Sequence, residues 1–151
     1  MTTRIAAQID VVSLARAAYR GWSSAADVST STREAQAICG QWQLSVQAVG
    51  GTVRFAKEVP VSRAFRERID LVDRITRTAY EMKVSGKNPT HEFFKDVFKV
   101  LEHNLSGGGS IQHFVFLTES TGVKRLQRGL GRSLVANSHD LGFKVTLEAL
   151  D

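Results

Sequence analysis

The chain has 151 residues, 42% of them apolar and 23% charged, which suits one domain of ordinary size and excludes a second sizeable core. Twenty Lys and Arg against fifteen Asp and Glu leave a net charge of +5, a balance that favours a polyanionic partner. A single cysteine, Cys39, excludes a disulfide framework and cannot by itself build a structural zinc site.

A reducing, cytoplasmic location is therefore expected. Arg4, Asp10, Arg16 and Arg20 break up the start of the chain, and no apolar run approaches the ~18 residues of a membrane span, so neither secretion nor membrane insertion is expected.

From Asp10 to Trp22, Val11, Leu14, Ala15, Ala18 and Tyr19 recur at helical spacing, and the Ser-Thr run at 29–32 offers N-caps for a second helix from Thr32 to Val49. Gly50-Gly51 ends that helix, and Glu34 suits the dipole of its first turn. Trp22 and Trp42 both lie in helical patterns and are expected in the core.

Three strand-like stretches follow, TVRFAKEV from Thr52, FRERIDLVD from Phe65 and TAYEMKVS from Thr78, and they form a meander. The link Arg74-Ile75-Thr76-Arg77 is short enough for a tight hairpin between the second and third. Asn88-Pro89-Thr90 then starts a helix whose apolar face is expected at Phe94, Val97, Phe98 and Leu101.

After the glycines at 107–109, IQHFVFLT is apolar on both faces and reads as a buried central strand, which makes a partly parallel sheet plausible. A last helix from Thr121 to Asn137 is weakened by ~1 kcal/mol at each of Gly129 and Gly131. FKVTLEAL from Phe143 closes the chain as a half-exposed strand.

If the hairpin pairs Asp73 with Thr78, each pair of opposed residue numbers sums to 151, and Asp70 falls opposite Glu81. Lys83, two residues beyond Glu81, projects from the same face, while Asp73 points away and caps the turn. Adjacent carboxylates repel, so such a pair needs a cation, a proton or a basic group between them. A divalent metal is one solution, because Mg²⁺ binds through one or two carboxylates plus phosphate oxygens and keeps several waters.

Asp70 followed by Glu81-x-Lys83 on the next strand resembles the core motif of the PD-(D/E)XK nuclease superfamily, and the element order over residues 32–150 is similar as well. Ile69 stands where the fullest form of the motif has proline. The resemblance implies an α/β fold with a restriction-endonuclease-like α-β-β-β-α-β core, its mixed central sheet flanked by helices, and residues 1–31 as a helical extension.

It further implies a Mg²⁺-dependent endonuclease acting on DNA, with Mn²⁺ as a substitute metal. Asp70, Glu81 and the backbone carbonyl of Met82 would be metal ligands, Lys83 would hold or help deprotonate the attacking water, and Glu34 would join the metal shell or orient its water. Cutting both strands from so small a domain implies a homodimer, with the first helix as one possible interface.

Ser85, Lys87, Asn88 and His91 follow the motif strand, where side chains and free amides can meet substrate phosphate; His91 also reads simply as a surface helix residue. Lys124, Arg128 and Arg132 recur every four residues beside Arg125, a basic stripe suited to phosphate contact. The alternatives are a catalytically inactive DNA-binding or assembly module of the same fold and a nuclease toxin acting on DNA or RNA.

Overall fold

The computed structural model describes residues 9–23, 32–84, 88–107 and 109–151. Five strands form one sheet in the order in which they occur along the chain: β1 (Phe55–Pro60), β2 (Arg68–Asp73), β3 (Thr78–Lys83), β4 (His113–Thr118) and β5 (Lys144–Ala149). β1, β2 and β3 are an antiparallel meander; β4 runs parallel to β3, and β5 parallel to β4. The protein is thus an α/β fold with a mixed sheet flanked by helices, as expected.

One face of the sheet is covered by α1 (Val11–Ser23) and α2 (Thr32–Gly50), which share a cluster with Phe55, Leu71, Met82, Val115 and Leu117. Val11, Ala15, Ala18 and Tyr19 of α1 are buried inside that cluster, with Val12, Leu14 and Trp22 partly buried against it. Trp42 is fully buried, stacks edge-on against Tyr80, and donates its indole N–H to the Val11 carbonyl at 3.2 Å. Trp42→Ala is expected to cost about 3–5 kcal/mol, read as a lower urea midpoint, because an indole-sized hole cannot collapse between two helices and a sheet.

The other face is covered by α3 (Pro89–Leu105), α4 (Ser120–Arg128) and α5 (Leu130–Ala136) around Phe93, Val97, Phe114, Phe116 and Leu126. Here two expectations change. Phe98 is 65% exposed and Phe94 half-buried, because α3 instead turns Phe93, Val97 and Val100 to the sheet, with Asp96, Lys99 and His103 buried on the same face. The last helix is also two helices: Gly129, at φ −104° and ψ −149°, leaves the helical region and breaks it.

The strands are shorter than their apolar patterns. Gly51 takes a left-handed φ of +85°, and a turn closed by the Phe55 amide on the Gly51 carbonyl delays β1 to Phe55. The hairpin forms with the expected register, Leu71 opposite Tyr80 and Asp73 opposite Thr78. Asp73 caps its turn by accepting from the Ile75 and Thr76 amides, and Arg54 clamps the same carboxylate. The N-caps expected at 29–31 lie outside the described residues. No described helix is long and apolar enough to cross a membrane.

Candidate active site where two strands part

Ladder pairing fails on both sides of Asp70. Lys57 pairs with Leu71 and Val59 with Ile69, but Glu58 is skipped opposite Asp70 and adopts a left-handed φ of 51°, a strained conformation for a glutamate. On the other side, the pairing of β2 with β3 stops at Leu71.

Side chains replace the missing ladder. Gln43 of α2 inserts its amide, donating to the Asp70 carbonyl at 2.7 Å and to Glu58 Oε1 at 2.8 Å. The Asp70 amide donates to Glu81 Oε1 at 3.3 Å, and the Met82 amide donates to Asp70 Oδ2 at 2.9 Å. A buried backbone group must find a partner, and at this point side chains supply it.

Asp70 and Glu81 therefore meet, as the register arithmetic requires. Asp70 is half-buried and Glu81 fully buried. In an extended strand, N–H and C=O of one residue project to the same side, so the Met82 carbonyl is aimed with its amide toward Asp70. The neighbouring Lys83 carbonyl faces the opposite way and accepts from Thr118 Oγ1 at 2.8 Å. Lys83 itself reaches Glu92 in the first turn of α3 at 3.4 Å.

Two residues absent from the expected set complete the cluster. Lys99, 7% exposed, extends from α3 into the gap between β2 and β3, donating to the Arg68 carbonyl and to Glu81 Oε1, each at 2.9 Å. Its Nζ is also 2.9 Å from Asp96 Oδ1, close enough to pair but not aligned as a hydrogen bond. Among the described residues, both Asp96 oxygens and Glu81 Oε2 are buried without a hydrogen-bond partner. A readable signal existed: Asp96-x-x-Lys99 straddles the Phe93, Val97, Val100 stripe, placing opposite charges on a core-facing surface.

The cluster shifts its own ionisations. Burial first, and then the charges of Asp70 and Asp96, push the Glu81 carboxyl well above its ordinary range against the pull of Lys99. Burial raises Asp96 too, with Lys99 and Lys83 opposing it. For Lys83, burial works against the charge, but Asp96, Glu81 and Asp70 outweigh it and raise the ammonium pKa. On the α2 side, burial followed by Asp70, Glu81 and Glu58 pushes the Cys39 thiol up, which marks it as unreactive.

The remaining expected residues lie on other elements. Glu34 lies in the first turn of α2, more than one turn before Cys39, and no three His, Cys, Asp or Glu side chains gather as a metal site among the described residues. Asn88 and His91 are exposed at the head of α3, while Ser85 and Lys87 lie outside the described residues.

Lys124, Arg125 and Arg128 line an open cleft of about 460 Å³ with Thr121. Arg132, carried by α5 beyond the break, instead lines a different cleft beside β5, so the stripe is divided. α4 begins next to the strand ends that carry Lys83: a Cβ on Gly122 would lie 3.1 Å from Thr118 Cγ2 and 3.4 Å from Pro89, an approach that glycine permits.

Two carboxylates on one strand gap, with the buried Glu81 Oε2 lacking a partner, fit a hard divalent cation that keeps part of its water shell. Compared with protein-family models, curated proteins and solved structures, the chain matches none.

Proposed function

We propose that the chain is a metal-dependent endonuclease of the PD-(D/E)XK type that hydrolyses phosphodiester bonds in DNA. The observation that carries this reading is the meeting of Asp70 and Glu81 where β2 and β3 part, with the Met82 amide on Asp70 Oδ2 and Lys83 on the same strand face as Glu81. Asp70, Glu81 and the Met82 carbonyl would hold Mg²⁺, or Mn²⁺ in its place. The bound cation supplies charge stabilisation at the phosphate.

Lys83 keeps its proton, because three carboxylates raise its pKa, and a protonated ammonium cannot act as a base at neutral pH. Its role is to orient the attacking water and to face the phosphate as a cation. The cleft at Lys124, Arg125 and Arg128 suits backbone phosphates flanking the scissile one, and such contacts weaken steeply as salt rises. Cleavage of a duplex on both strands calls for two sites and hence a homodimer.

Two ion pairs favour a second reading, a non-catalytic nucleic-acid-binding module: Lys99 is already paired with Glu81, and Lys83 is engaged by Glu92. Incubation with plasmid, single-stranded DNA, branched DNA and RNA, each with Mg²⁺, Mn²⁺ or EDTA, separates the two. Metal-dependent DNA cleavage by the wild type and its loss in Asp70→Ala are the expected outcome. Cleavage of no substrate, together with a DNA gel shift that persists in EDTA, would establish the binding module instead.

A further inference from the structure

We infer that Lys99 is the resident counter-cation of this acidic site: its ammonium bridges Glu81 and Asp96, and a divalent cation that takes the Glu81 carboxylate leaves the ammonium paired with Asp96. The inference rests on the metal-dependent reading above and adds two positioning residues to it.

Lys99 sits between the parted strands, bonded to Arg68 on one side and Glu81 on the other. A lysine kept there only to neutralise Glu81 would need no second acid, yet Asp96 stands one turn away on the same helix, 0% exposed and with neither oxygen hydrogen-bonded among the described residues. Burying a carboxylate is costly unless a cation pairs with it, so Asp96, whose Oδ1 already lies 2.9 Å from the ammonium, keeps Lys99 paired when Glu81 is taken. Because Nζ is already 2.9 Å from both acids, release of Glu81 leaves one ion pair in place. Among the described residues Glu81 Oε2 has no hydrogen-bond partner, which leaves that carboxylate one open acceptor beside the oxygen Lys99 holds.

The test is calorimetric titration of the metal-free protein with Mn²⁺. Lys99→Met combined with Asp96→Asn removes one charge of each sign, so the net charge of the cluster is unchanged while the competitor is gone. This double variant is expected to bind Mn²⁺ about tenfold more tightly than the wild type. Lys99→Arg, which retains the charge and offers Glu81 a second donor, is expected to bind more weakly.

Wild-type binding with an equal or weaker affinity in the double variant overturns the displacement and leaves the metal-dependent reading standing. If Lys99→Met/Asp96→Asn does not fold, Lys99→Arg decides: unchanged or tighter Mn²⁺ binding overturns the inference. Absence of Mn²⁺ binding in every folded variant, wild type included, overturns both.

Discussion

Replacing Lys83 with alanine is expected to lower metal-dependent cleavage about 10²–10⁴-fold while Mn²⁺ still binds, because the ammonium acts on the water and the phosphate rather than on the carboxylates that would hold the metal. The side chain is 29% exposed and its ion pair with Glu92 is partly open to solvent, so the fold should survive the change. The raised pKa of Lys83 also constrains the pH profile. If the lysine were a base, activity would climb as it loses its proton; as a cation, it should support activity across neutral pH and fail only where the ammonium titrates, above its ordinary 10.5. Cleavage rates from pH 7 to 9, with Lys83→Arg as a charge-preserving comparison, provide the check. Near-wild-type cleavage by Lys83→Ala would remove Lys83 from the reaction.

The meeting of Asp70 and Glu81 was legible because a four-residue turn fixes hairpin register, and Asp73 reinforces it by capping that turn. The parting of the strands was not. It depends on Gln43, which lies in α2 and reaches Asp70 only after the helix has packed on the sheet, a contact with no local signature. Lys99 escaped for a related reason: apolar periodicity selects the stripe with the most hydrocarbon, Phe94 and Phe98 included, whereas the structure buries the stripe whose charges find partners across the sheet. At Gly129 the two weak positions were visible, but whether they merely weaken a helix or break it was settled by packing against β5 and α3.

Glu81→Gln is expected to abolish cleavage and yet stabilise the metal-free protein, by about 1–2 kcal/mol at pH 7. Around the gap, three carboxylates, Asp70, Glu81 and Asp96, face two ammonium groups, Lys83 and Lys99. Lys83 also pairs with Glu92, so carboxylates outnumber ammonium groups here; removing the buried Glu81 carboxylate lessens that excess, and Lys99 keeps both Asp96 and the Arg68 carbonyl. The sign follows from linkage. The folded-state pKa of Glu81 lies above its ordinary 4.5, so the folded protein favours the protonated form. The cost of ionising it is absent below that ordinary value and grows as pH rises through the window up to the folded-state pKa. The advantage of the glutamine should therefore be small at pH 4, where both chains are neutral at this position, and full at neutral pH. For a chain of this length it amounts to a rise in Tm of about 2–6 °C. Saturating Mn²⁺ should reverse the order, because it binds and stabilises the wild type alone. Should the metal-free variant melt below the wild type at pH 7, the Glu81–Lys99 pair is itself a net stabiliser, and the electrostatic tension assigned to this site is absent.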